Sequence, residues 1–327
     1  MKRSTRVALA AAAAMAMMAT AACGSTDGEG GAADSARIMV PNAPGGGYDT
    51  TARIAAKIMQ DEELLSNAQV FNLDGAGGTV GLARTAQSEG KGGELMMMGL
   101  GVVGAVFANK SESTLADTTP IARLISEPEV IVVPAESEYK SLDDLLADWK
   151  ADTKELPVGG GSSPGGPDHL APHLLADEIG IDPRDVNYVE YDGGGPLLAG
   201  LLNGEIKFGV SGIGEYKDQI EAGQLRVLAV TSAERVPGLD APTLKEQDVD
   251  LRFDNWRGFV APPGISAADK KSLVDLVTEL NESKAWKDAE RKNGWTNAFA
   301  TGEEFESYIE SENKRVEDVL TKLGLVK

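Results

Sequence analysis

An α/β fold is predicted by three features of this 327-residue sequence: short apolar strands, segments of helical spacing between them, and glycine-rich loops at the junctions. Glycine is the compositional outlier, with 38 residues against a usual share of roughly 7%. The first strand is 37–40 (Arg37-Ile38-Met39-Val40), and a proline- and glycine-rich loop at 41–49 leads into a helix over 50–60. There Ala52, Ala55, Ala56, Ile58 and Met59 share one face, with Asp49 or Thr50 as the expected N-cap. The same unit recurs as strand 69–73, loop 75–79 and helix 80–88, followed by an apolar strand at 95–98. The second half repeats it twice, as 156–158, 159–166 and 168–179, then 188–191, 193–196 and 197–202. Strand 206–210, helix 215–221 and strand 225–230 come next, and the C-terminal region is helical in pattern at 267–280, 284–292 and 302–323. Alternation of this kind implies mostly parallel sheets, and at roughly 150 residues per domain the length suggests two domains.

Composition removes several function classes. With 31 Lys and Arg against 51 Asp and Glu, the net charge is −20. The longest basic runs are pairs such as Lys2-Arg3 and Lys270-Lys271, so no phosphate-binding stripe exists and nucleic acid is not an expected partner. Lys2, Arg3 and Arg6 followed by the apolar run 7–22 read as a secretory signal, too short for a comfortable membrane span. Cys23 is the single cysteine, so it has no internal disulfide partner. The small residues before it resemble a bacterial lipobox, although Thr20 stands where leucine is usual. Lipidation of Cys23, with a flexible tether to residue 36, would make the lipid anchor the sole membrane attachment. Ordinary cleavage leaving an incidental thiol is the alternative. Either way the working chain lies outside the cytoplasm, and losing the leader removes Lys2, Arg3 and Arg6 but no acid.

The glycine loops are candidate anion sites, because a helix start exposes unpaired backbone N–H groups and glycine lets a ligand approach them closely. Tight connections needing positive φ are the competing explanation for any one loop. Nucleotide readings fail on detail: there is no Walker A loop, and the Gly99-Leu100-Gly101-Val102-Val103-Gly104 fingerprint lacks its acidic partner at a second strand end. Gly209-Val210-Ser211-Gly212-Ile213 misses the nucleophile elbow at its last position. His169 and His173 are the two histidines, four apart at a helix start with Pro172 between them. One loop-ordering and one surface histidine explains them better than a metal pair, so no metal, cofactor or enzymatic activity is expected.

Several segments match a known pattern in order. Pro44-Gly45-Gly46-Gly47-Tyr48-Asp49 with Ala52-Arg53, then Gly75-Ala76-Gly77-Gly78-Thr79-Val80-Gly81, resemble the first signatures of the substrate-binding receptors of tripartite tricarboxylate transporters, the Bug-type extracytoplasmic receptors. His169-Leu170, Tyr191-x-Gly193-Gly194-Gly195-Pro196, Leu228-Ala229-Val230-Thr231-Ser232 with Arg235, Pro242-Thr243-Leu244-x-Glu246, and Trp256-x-Gly258-x-x-Ala261-Pro262-x-Gly264 continue the match.

The resemblance implies a two-domain, periplasmic-binding-protein-like (flytrap) fold of type II. It implies a monomeric receptor that hands a small organic acid to a permease of one large and one small subunit. The acid would be a di- or tricarboxylate, an aromatic acid or an acidic amino acid. Domain 1 would be 37–132 plus 257–327, and domain 2 133–256, with crossovers near 130–134 and 253–260. A ligand carboxylate would be held largely by backbone groups at Pro44, Gly45, Gly46, Gly47, Tyr48 and Asp49, supported by Gly77, Gly78 and Thr79. Ser162, Ser163, His169, Tyr191, Gly193, Gly194, Gly195 and Ser211 would complete the site. Arg53, Arg84 and Arg257 are candidates for a second carboxylate, with helix-surface salt bridges as their other use. Three positions depart from the family: Tyr48 replaces a small residue, Gly166 a hydroxyl residue, and Glu190 and Asp192 flank Tyr191 where proline and a basic residue are usual. The added negative charge argues against a tricarboxylate. A sensor or scaffold lipoprotein presenting the same fold to a signalling partner is the alternative.

Overall fold

The structure is a computed structural model and describes residues 35–326. The leader, Cys23 and the tether up to residue 34 lie outside the described residues. The strands are β1 (Ser35–Val40), β2 (Asn67–Asn72), β3 (Glu94–Gly99), β4 (Thr119–Pro134), β5 (Val158–Gly160), β6 (Tyr188–Glu190), β7 (Phe208–Gly212), β8 (Leu225–Val230), β9 (Asp254–Ala261) and β10 (Thr296–Thr301). The helices are α1 (Gly47–Asp61), α2 (Thr79–Ala86), α3 (Leu100–Ala108), α4 (Leu142–Ala151), α5 (Pro167–Glu178), α6 (Gly194–Leu202), α7 (Ile213–Glu221), α8 (Ala267–Glu282), α9 (Lys284–Asn293) and α10 (Gly302–Lys322).

Strand order runs β2-β1-β3-β9-β4-β7-β5-β6, with β8 and β10 also paired to β4. The pairs β1–β2, β1–β3, β5–β6 and β5–β7 are parallel, as strand–loop–helix units require. Every pairing that involves β4 or β9 is antiparallel. The expectation of mostly parallel sheets is therefore corrected to a mixed arrangement. β4 is responsible: Thr119 to Pro128 pair with β9, whereas Glu129 to Pro134 pair with β7 and β8, so one long strand belongs to two sheets. Its 128/129 change of partner lies opposite Asp254, where β9 begins.

Local chemistry explains most boundaries. α1 buries Ala52, Ala55, Ala56 and Met59 at helical spacing against the β1–β3 face. α4 escaped the sequence reading although Ser141 and Asp144 form a capping box ahead of Leu142, Leu145, Leu146 and Trp149. The long C-terminal α10 presents Phe305, Ile309, Val316 and Leu320 inward. Trp256 on β9 is fully buried against it, edge-on to Phe305 and Tyr308, and its indole N–H donates to Glu312 Oε2 at 3.1 Å. Glu312 is held in turn by Arg315. Among the described residues, no helix is long and apolar enough to cross a membrane.

Trp256→Ala removes this contact and leaves Glu312 without its indole partner. A loss of about 3–5 kcal/mol is expected in urea unfolding, with α10 the first segment to lose amide protection in hydrogen exchange.

Candidate ligand-binding site

The loop at 41–47 follows β1 and opens α1, one turn earlier than the sequence suggested. Gly46 is the N-cap, and no side chain caps it. Asp49 is thus not the cap. It sits buried in the first turn, where its carboxylate accepts from Gly45 N–H (2.9 Å), Arg53 Nε (2.9 Å) and Asn72 Nδ2 (2.9 Å). Burial works to raise its pKa, but these hydrogen bonds outweigh it and hold the carboxyl below its ordinary value. Asn72 also donates to Asn42 O (3.0 Å), which ties β2 to the loop. The first-turn N–H groups of α1 therefore face outward from a braced loop.

They face a cavity of about 540 Å³, within the range of small-molecule sites. Pro44, Gly46, Gly47, Tyr48, Gly77, Ser162, Ser163, Tyr191 and Gly193 line it. An adjoining cavity of about 440 Å³ adds Gly45, Gly194 and Gly195. These expected residues converge. Asp49, Gly78, Thr79, His169 and Ser211 do not line either cavity and are buried behind it. Gly78 packs on Pro41 and Val102 at the start of α2, and Thr79 Oγ1 donates to Ala76 O (3.0 Å). Ser211 Oγ lies near Asp168 and Tyr216 but closes a well-aligned hydrogen bond with neither.

Three of the four departures from the family pattern have a local role, Glu190 accepting from the Ser163 hydroxyl (2.8 Å). Tyr48 turns toward α3, where its hydroxyl accepts from Val102 N–H (3.3 Å), and burial pushes that hydroxyl up to about 12. A Cβ on Gly166 would sit 2.7 Å from Ser162 Oγ. That glycine gives Ser162 room to accept from Asp168 N–H (2.9 Å) at the start of α5. Tyr191 aims its hydroxyl at Gly200 rather than into the cavity. His169 orders the loop, accepting from Gly165 N–H on Nδ1 (3.3 Å), while burial first and then His173 lower its pKa to about 3. The expected surface histidine is absent, since His173 is buried as well: its Nδ1–H donates to His169 O (2.6 Å) and its ring lies 4.2 Å from that of His169.

Of the electrostatic centre the sequence marks Arg257 alone, as a candidate for a second ligand carboxylate, and not the carboxylates around it. Arg257, on β9, is 4% exposed and forms an ion pair with Glu127 Oε2 on β4, itself 2% exposed. Glu127 Oε1 accepts from Gly214 N–H (2.8 Å), which places its carboxylate at the start of α7. A Cβ on Gly47 would lie 2.3 Å from Arg257, so the guanidinium also presses on the first turn of α1. Arg53 instead makes the expected helix-surface pair with Asp49, and Arg84 lines a separate small pocket with Arg37 and Phe71. Around Arg257 stand Glu129, Asp168 and Glu215. Burial first, then neighbouring carboxylates, raise Glu129 well above the usual range, and neither of its carboxylate oxygens has a hydrogen-bond partner. Burial also raises Asp168, against hydrogen bonds from Gly161 N–H (2.8 Å) and Ser162. Glu215 meets water in the cleft but is walled by protein, and burial with Asp168 and Glu127 pushes it up to about 8. The Trp256-x-Gly258 signature also contains Arg257, as its unspecified residue.

Comparison with known proteins identifies the family and the fold. The family model described as "Tripartite tricarboxylate transporter family receptor" matches residues 51–325. Protein BugT of Bordetella pertussis is 30% identical over 297 residues, spanning 88% of this chain and 89% of that one. The crystal structure of a TctC solute binding protein from Polaromonas, without ligand, is similar with a TM-score of 0.69 at 26% identity, covering 88% of this chain and 98% of its own. MatC from Rhodopseudomonas palustris with bound malate shares the fold, with a TM-score of 0.75 at 24% identity over 88% of this chain and 98% of its own.

Raised carboxyls leave a signature in stability. Between the ordinary value of 4.5 and about 8 for Glu215, the folded protein keeps a proton that the unfolded chain releases. Stability is therefore expected to fall as pH rises through that window. Urea unfolding at several pH values should show the decline, and Glu215→Gln should flatten it. Gly47→Ala forces a methyl onto Arg257 and is expected to cost about 1–3 kcal/mol in the same assay, as overpacking does.

Proposed function

The chain belongs to the receptor family of the tripartite tricarboxylate transporters, and on that premise we propose that it captures a small organic carboxylate in the cavity before α1 and delivers it to a membrane permease. Membership makes it a solute-binding receptor rather than an enzyme. The observation that carries the ligand reading is the uncapped start of α1, whose first-turn N–H groups open onto a cavity of ligand size. A carboxylate there gains the positive end of the helix dipole without needing a lysine or arginine clamp. α6 starts at Gly193 on the same space, but the Glu215 carboxylate already lies against its first turn, 2.0 Å from a Cβ placed on Gly194. MatC is a relative in fold that holds malate, a ligand of the expected chemistry.

The working arrangement we propose has two lobes, 37–132 with 257–327 and 133–256, closing on the ligand about β4 and the chain that enters β9. The receptor would act outside the cytoplasm as a monomer, anchored by a lipid on Cys23, with a permease of one large and one small subunit as its partner.

Gly46 lines the cavity at φ −77° with nothing within 4 Å of a Cβ placed on it. Gly46→Val should therefore fold normally while obstructing the carboxylate. In a thermal-shift screen of residues 24–327 against small organic acids, ligand at 100 times its dissociation constant should stabilise the wild type by about 2.7 kcal/mol. The same acid should leave Gly46→Val unshifted. An equal shift in both proteins would remove the α1 loop from the site.

A further inference from the structure

The cavity that receives the carboxylate carries a strong charge asymmetry. Asp74, Asp168, Glu190, Asp192 and Glu215 line it, and Arg257 is the one cation among the lining residues. That cation is already engaged by Glu127, whose other oxygen takes the N–H group at the start of α7. Asp168 likewise accepts from Gly161 N–H, and Asp49 from Gly45 N–H. The protein's own carboxylates have thus filled three of the anion positions that the glycine loops create. The first turn of α1 remains for a ligand, opposite a wall of carboxylates from α5, α7 and the loop after β6.

A second carboxylate on the ligand would face Glu190, Asp192 and Glu215 with no free cation to receive it. An ammonium group would find acceptors there. Independently, Asn255 on β9 lines the cavity at 7% exposure, and its side-chain oxygen has no hydrogen-bond partner, a position that calls for an N–H donor. We infer that the ligand is a small zwitterion, with a single carboxylate on the first turn of α1 and an ammonium facing Glu190, Asp192, Glu215 and the Asn255 oxygen. The inference rests on the carboxylate-receptor reading above and narrows it. Burial and the neighbouring Asp168 and Glu127 push Glu215 up to about 8, the behaviour of a carboxylate short of a cation. A ligand ammonium supplies that cation within the cleft.

The test is calorimetry on residues 24–327 with compounds that share one chain length and differ in charged groups. Pentanoate carries a carboxylate, glutarate two, pentylamine an ammonium, and 2-aminopentanoate and 5-aminopentanoate carry one of each. The three- and four-carbon counterparts complete the set. An amino acid is expected to bind at least about tenfold tighter than the acid lacking its ammonium and than the dicarboxylate of equal length. Glu215→Gln or Asp192→Asn should erase most of that preference. Tighter binding of the dicarboxylate, or a preference unchanged in both variants, overturns the zwitterion and leaves the receptor standing. Binding of amines without any acid, or of no compound in the series, overturns the carboxylate reading and the inference together.

Discussion

A guanidinium and a carboxylate buried side by side at the junction of two sheets set the geometry of everything around them. Arg257 reaches from β9 to Glu127 on β4, just before β4 leaves one sheet for the other. From there each partner touches a helix start: Arg257 presses on Gly47 of α1, and Glu127 accepts from Gly214 of α7. Glycine lets the contact points come this close, because a Cβ on Gly47 or Gly214 would fall 2.3 or 2.6 Å from the ion pair. Burying such a pair costs desolvation of the same order as its attraction, so its use is positional. It fixes one helix start from each side of the cleft at the same place.

That fixed place resolves an electrostatic tension. A chain with a net charge of −20 repels anions at long range, yet salt screens the field beyond about 8 Å, and inside the cleft the first-turn dipoles of α1 act at contact distance. The acids in the cleft are not a diffuse background. Glu127, Asp168 and Asp49 each close a backbone N–H group, so they shape the loops as much as they charge them. In the proposed site, anion capture is therefore confined to one helix start.

Much of this was legible in the sequence, because strand–glycine loop–helix units carry their own signals. The strands at 37–40, 95–98 and 225–230 and the helices at 168–179 and 267–280 sit within a few residues of the observed elements. Helix starts at Gly47, Gly194 and Ile213 came earlier than expected, since glycine gives no apolar signal and the first turn is set by the loop brace. β4 and β10 were missed for a different reason. β4 contains Pro120 and Pro128 and changes partners midway, so its apolar pattern has no single face, and β10 is a short strand decided by its pairing with β4. Arg257 could be singled out but its pairing with Glu127 could not: the partners are far apart in sequence, and nothing local marks either as buried. Conversely, His169 and Asp49 look like ligand contacts in a motif, and the structure uses both to hold loops.

In the receptor we propose, ligand seats on the backbone at the start of α1 and draws the facing loops onto it. Hydrogen–deuterium exchange with and without the acid that stabilises the protein tests it directly. The account expects slowed exchange in peptides covering 45–50 and 192–197, with α8 and α9 unchanged. Protection confined to other segments, with the amides at 46–48 exchanging as fast as in the free protein, would contradict it.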